Sequence, residues 1–275
     1  AGSIRIPSAL CGLSGLKPRQ DRVSLEGVVP LAPSLDSCGP IARTVGDAQT
    51  MFEMMTGESE TLPDPKGVRI AVPADLGGIT GAQEEVAHAI EAALGELSGA
   101  GLMIAEVDLP SFEEWDRPRS YPLMLQALEV HRNAGWYPRL ADRYTSETLG
   151  ALRFAEGLPA AKIESGLAEL PGLKARLDGV LDEAEVLVLP TTDCPAPTRA
   201  EAGDVDDGYR APVVRRLTRI CGPVNVCGLA ALAVQCGVTG EGLPVGLQLV
   251  GRDEAVLLAV GGLYQSLTDW HTRRP

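Results

Sequence analysis

The hydroxyl of Ser3 sits where a nucleophile would need to be. In the stretch AGSIRIPSALCGLSGLKP, residues 1–18, Gly2 lets the backbone approach a bound group closely, and Pro7 suits the first position of a short helix that Gly12 would end. A serine just ahead of a helix start, beside successive backbone N–H groups, has the parts of a nucleophile with an oxyanion hole. An ordinary turn serine has the same neighbours, so these residues alone leave both readings open. What the stretch lacks is a base. His88 falls inside an amphipathic helix among Glu and Ala and reads as a surface residue. His131, in EVHRNAGW, has Glu129 and Arg132 to orient it but fits a half-buried structural role as well. His271 lies in DWHTRRP, where fraying is expected.

Other catalytic patterns do not fit. CGLSGLKP has the wrong spacing for a GxSxG nucleophile elbow. GLSGLKP and GEGLPVG do not make a GxGxxG, and no phosphate loop of the GxxxxGK[ST] type occurs. Cys11, Cys38, Cys194, Cys221, Cys227 and Cys236 lie in apolar or Gly-rich surroundings without a CxxC pair, and read as reduced core thiols with no metal role.

The elements that must position these residues follow from periodicity. In TVGDAQTMFEMMTG, residues 44–57, one helical stripe carries Val45, Ala48, Met51, Phe52 and Met55 as core positions, with Thr44 as N-cap and Gly57 as the stop. VRIAVP reads as a buried strand, the next helix carries Val86, Ile90, Ala93 and Leu97, and LMIAEVDLP reads as a second strand. That order is a βαβ unit and predicts two parallel strands. Residues 120–183 are the most helical part and a cover for the sheet; EVLVLPTT, LAALAVQC and VGLQLV are further strands, and a helix spans 254–270. The fold class is α/β, with a mixed central β-sheet covered by helices. EAGDVDDG, residues 201–208, reads as an acidic surface loop.

The bulk numbers exclude several functions. With 45% hydrophobic and 22% charged residues, the 275-residue chain is globular and can bury a large core. Its apolar runs fall well short of the roughly 20 residues of a membrane span, and the composition reads as cytoplasmic. A net charge of −13 repels phosphate backbones and anionic lipid, which argues against direct nucleic-acid or membrane binding, although a partner subunit could supply a basic surface.

Four ordered stretches, AGSIRIPSALCGLSGLKP, GVVPLAPSLDSCGPIARTVGDA, GLPVGLQLVG and LTDWHTRRP, together resemble the amidase signature family, over nearly all 275 residues. The match is dense in the first 57 and last 50 residues and loose over 59–179. The resemblance implies amide hydrolysis or transfer by a Ser-Ser-Lys triad, without metal or cofactor, on a small-molecule amide. Ser3 then inherits the role of nucleophile, and the N–H groups of Ala1, Gly2 and Ser3 form the oxyanion hole. Arg5 and Asp36 match positions that brace this loop, as a structural ion pair, and Asn225 is architectural. Asp193 and Cys194, after LVLPT, are expected substrate contacts, with a pocket drawn from the helical region of about 112–183.

In that family the lysine and the second serine lie upstream of the SIR motif. Lys17 belongs to the GLKP match, and Lys66, Lys162 and Lys174 stand in loop or helix-surface contexts, so none replaces it. Residues 1–275 are therefore expected to be the later part of a single amidase signature domain, completed by an N-terminal segment or a second subunit, with a homodimer also open. Two alternatives stand beside the small-molecule amidase: the glutamine-hydrolysing component of a tRNA-dependent amidotransferase, and a catalytically dead binding module.

Overall fold

A computed structural model describes residues 2–203 and 212–273; Ala1 and residues 204–208 of the acidic loop lie outside the described residues. The chain opens with helix α1 (Arg5–Leu10), strand β1 (Ser14–Lys17), a short β2 (Ile41–Ala42) and α2 (Val45–Thr56). Next come β3 (Arg69–Pro73), α3 (Leu76–Thr80), α4 (Glu84–Gly99) and β4 (Met103–Val107). Helices α5 (Ser120–Asn133), α6 (Ser146–Glu156) and α7 (Ala160–Glu183) fill the middle. The last part holds β5 (Val186–Pro190), α8 (Arg199–Gly203), α9 (Pro212–Thr218), α10 (Cys221–Val226), β6 (Ala230–Val238), β7 (Pro244–Gly251) and α11 (Glu254–Leu267).

The strands form one mixed sheet in the order β2-β1-β6-β7-β5-β3-β4. Strands β3 and β4 are parallel, with Ile70 opposite Ile104, as a βαβ unit requires. Strand β5 lies parallel on the other side of β3, with Ile70 opposite Val186, and the remaining pairs are antiparallel.

Alternation along the strands sorts the core into two layers. On β7, Val245, Leu247 and Leu249 face a cluster with Phe52 of α2, Ile90 and Leu97 of α4, and Leu257 of α11. From β5 and β7, Leu187, Leu189 and Val250 face the opposite cluster, with Leu173 and Leu177 of α7 and Val224 of α10. Each such side chain contributes about 1.5–3 kcal/mol on burial.

Thr44 caps α2 by accepting from the Asp47 N–H, and Gly57 ends it in the left-handed conformation at φ 72°. The methionine stripe departs from expectation: Val45, Ala48 and Phe52 are buried, Met55 is half-buried, and Met51 is exposed. Successive residues are about 100° apart on a helix, so Met51 stands a full step round from Phe52, on the flank that meets solvent.

Candidate active site

Helix α1 begins at Arg5, not Pro7, which makes Pro7 its third residue; within the first turn the missing N–H removes no intrahelical bond. Its start is fixed by the Ile6 N–H donating to the Gly2 carbonyl at 2.8 Å, and its end by Gly12 at φ 66°. Gly2 is buried at φ 93°, and Ser3 after it is exposed. A Cβ on Gly2 would stand 2.9 Å from that of Cys221, so the Ser3 loop rests directly on the first turn of α10.

Small residues let α1 lie flat on the sheet. A Cβ on Gly246 of β7 would overlap Ala9, and one on Gly15 of β1 would overlap the Ser8 hydroxyl. That hydroxyl donates to the Ile4 carbonyl at 2.7 Å.

Arg5 is completely buried. Its guanidinium donates to Gln248 Oε1 of β7, to Asn225 Oδ1 of α10 and, at 3.0 Å, to the Cys221 carbonyl. Burial pulls its pKa below the usual arginine value. The ion pair expected between Arg5 and Asp36 is not made. The Asp36 carboxylate instead accepts from the Leu31 and Ala32 N–H groups at 2.8 and 3.0 Å, closing its own loop. Asn225 joins the two, because its Nδ2 donates to the Leu35 carbonyl at 3.2 Å while its oxygen receives Arg5. The physical reason is supply: three neutral acceptors already surround Arg5.

Lys17 is buried too, with Nζ donating to the carbonyls of Pro18 and Leu229 at 2.6 and 2.8 Å. Burial, then the neighbouring Arg5 charge, lowers its pKa to about 7, against a smaller upward pull from Glu254.

The exit of β5 carries the other expected residues. The Thr191 N–H donates to the Gly246 carbonyl at 2.8 Å, which puts Thr191 beneath α1. Two residues on, Asp193 is wholly buried, with one carboxylate oxygen 3.2 Å from Arg216 Nε and 3.9 Å from Arg219 Nη1. Cys194 is buried, and desolvation with the neighbouring Asp193 pushes its thiol up to about 12. All six cysteines are free; Cys11 is exposed, a departure from the core-thiol reading.

Arg216 and Arg219 line a cavity of about 1430 Å³ between α9 and the helical middle, where Arg119, Tyr121, Met124 and Phe154 also contribute. Asp116 binds Arg119 at 3.0 Å and Arg219 at 3.3 Å. These arginines, with Gln248 and Cys221, carried no sequence motif, and the one signal is that three arginines fall within the nine residues VVRRLTRIC.

The histidines stay apart from this group. His88 is exposed near Glu84, and His131 pairs through Nδ1 with the Tyr144 hydroxyl at 2.6 Å, not with Glu129 or Arg132. Among the described residues no cluster of His, Cys, Asp or Glu could hold a metal ion, and no helix is long and apolar enough to cross a membrane.

The sequence model of the family described as Amidase matches residues 1–257. The chain is 33% identical over 318 aligned residues to the A-subunit of a glutamyl-tRNA(Gln) amidotransferase from Chloroflexus aggregans, covering 100% of this chain and 63% of that protein. A crystal structure of an amidase superposes with a TM-score of 0.83 at 30% identity, over 96% of this chain and 60% of its own. The A-subunit of the glutamyl-tRNA(Gln) amidotransferase of Thermotoga maritima superposes with a TM-score of 0.72 at 26% identity, over 96% of this chain and 58% of its own. The chain thus spans less than two thirds of the length of the curated relatives it matches.

Proposed function

The chain belongs to the amidase family, and on that premise we propose that it forms the nucleophile-bearing part of an enzyme that hydrolyses a carbon–nitrogen amide bond through a serine acyl-enzyme. The observation that carries this is local: Ser3 is exposed at the entry to α1, on a loop that Gly2 and the buried Arg5 clamp from below. A nucleophile must be accessible while its backbone is held, and both hold here.

In the proposed reaction the Ser3 Oγ attacks the carbonyl carbon as a base takes its proton. The carbonyl oxygen turns anionic and is met by main-chain N–H groups at Gly2 and Ser3, with Ala1 completing the set. The C–N bond then breaks as the leaving nitrogen takes a proton, and water hydrolyses the ester to restore Ser3. The base is assigned to a lysine acting through a second serine, both expected upstream of residues 1–275, as the family resemblance implies. Lys17 does not serve, because two carbonyls hold its Nζ inside the fold. Asp193 is assigned an indirect part at the substrate pocket: its buried carboxylate orients Arg216 and Arg219, with Cys194 shaping the turn beside it.

The test is Ser3→Ala in the full-length protein, read by amide turnover and by labelling with a fluorophosphonate. Turnover should fall at least about a thousandfold and labelling should vanish. Unlabelled wild-type protein that still binds amides would instead establish a catalytically dead module. The naming of the relatives favours a second reading, a glutamine-hydrolysing component of an amidotransferase. Ammonia release from glutamine that appears only with an added second subunit would select it over a free-standing small-molecule amidase.

A further inference from the structure

Acidic residues outnumber basic ones 37 to 24 in this chain, yet the cavity beside α9 is lined by six arginines and one lysine against four carboxylates. A concave site with an excess of one charge focuses a potential that the surrounding surface would cancel. Its cations are also held in place. Asp193 holds Arg216 through Nε, and among the described residues no hydrogen-bond partner takes its two Nη groups, a planar fork whose geometry matches a carboxylate. Arg215, the neighbour of Arg216 on α9, is exposed and lines the same cavity.

The cavity also reaches the supports of the nucleophile. A Cβ on Gly222 would stand 2.6 Å from Arg119 Cδ, just as one on Gly2 would crowd Cys221. The Ser3 loop, the first turn of α10 and Arg119 therefore stack in direct succession, because both contact points are glycines. We propose that this cavity receives the carboxylate of an anionic amide substrate, gripped by Arg215 and Arg216 beside Arg119, with the scissile amide directed toward Ser3. This rests on the amide-hydrolase reading above.

Two measurements on the full-length protein separate the cavity from the chemistry. The first compares succinyl-p-nitroanilide with butyryl-p-nitroanilide, which differ by a carboxylate in place of a methyl. The ratio of their kcat/KM values should favour the succinyl amide by about tenfold or more, and should fall to about one in Arg216→Gln, with partial recovery in Arg216→Lys. Where Arg216→Gln fails to fold because Asp193 loses the nearer of its two arginine partners, Arg215→Gln, at an exposed position, gives the same reading. The second titrates glutarate calorimetrically, without turnover; saturable binding should weaken about tenfold in either variant. Equal or inverted preference for the two amides, with no glutarate binding, overturns the carboxylate site and leaves the hydrolase standing. Glutarate binding that the arginine variants weaken, with neither amide hydrolysed, keeps the site and sinks the hydrolase reading.

Discussion

Two cationic side chains, Arg5 and Lys17, are buried within electrostatic reach of one another, and they answer burial differently. Arg5 stays charged because a guanidinium gives up its proton only at very high pH, and its acceptors are neutral oxygens. Lys17 can lose its proton, and its pKa of about 7 makes folding pH-dependent. The folded state releases the Lys17 proton near pH 7, while the unfolded chain keeps it to about 10.5, the ordinary value. Between those limits the unfolded state binds more protons, so this residue makes stability rise with pH; below about 7 its contribution is flat. Buried thiols act oppositely once free thiols ionise near pH 8.5, which confines a clean test to the window below that. From pH 7 to 8.5 the wild type should gain between about 1 and 2 kcal/mol relative to Lys17→Met, measured by urea unfolding. Parallel pH profiles for the two proteins would show that Lys17 stays protonated. The sequence placed Lys17 in GLKP and Ser3 in the SIR motif, but burial is set by distant residues, among them Leu229, and no local pattern announces it.

Elements divide by how much of their burial is written locally. Strand β5, VLVLP, is five buried apolar residues in a row, and the sequence discloses it; α4 repeats Val86, Ile90, Ala93 and Leu97 at helical spacing and is equally legible. Strand β1, SGLK, is also buried at every position but shows no strand pattern, since Gly15 and Lys17 are poor strand formers. Its glycine is there because Ser8 of α1 and the carbonyl of Ile4, just ahead of that helix, occupy the space of a side chain. The expected tie between Arg5 and Asp36 failed for a similar reason: which acceptor an arginine meets depends on how α10 crosses behind it. The same close packing makes α1 sensitive to one methyl group. Gly246→Ala would place a Cβ 3.0 Å from Ala9 Cα and must lift the helix that carries Ser3. Overpacking of this kind costs about 1–3 kcal/mol. A displacement of even 1 Å at a nucleophile lowers turnover by about a hundredfold, so kcat should fall in protein that circular dichroism shows to be folded. Gly262→Ala, on α11 with nothing near its Cβ, is the control and should leave stability equal or slightly raised. Full turnover in the Gly246 variant would mean that Ser3 is positioned independently of β7.

Across the whole molecule, stability is distributed unevenly, and the uneven part adjoins the cavity. Both faces of the sheet bury large continuous clusters, whereas α5 and α6 meet over a separate patch in which Leu128, Tyr137, Leu152 and Ala155 are the buried members. Four side chains bury too little apolar surface to offset by themselves the conformational entropy of two helices and their connection. The Arg132–Glu156 pair is open to water and salt and adds little. The helical cover is therefore held mainly by its contacts with the rest, such as Tyr121 against Gly166 of α7, and should open before the sheet does. Hydrogen–deuterium exchange read by mass spectrometry should show amides of 122–156 exchanging well ahead of those in β5, β6 and β7. Met124 and Phe154 of this cover line the arginine-rich cavity, so a ligand seated there binds the closed cover and not the opened one. Saturating glutarate should slow exchange across α5 and α6 while leaving the central strands unchanged. Exchange in the cover as slow as in the central strands without ligand would show that the cover and the sheet unfold as one unit, with no looser layer for a substrate to close.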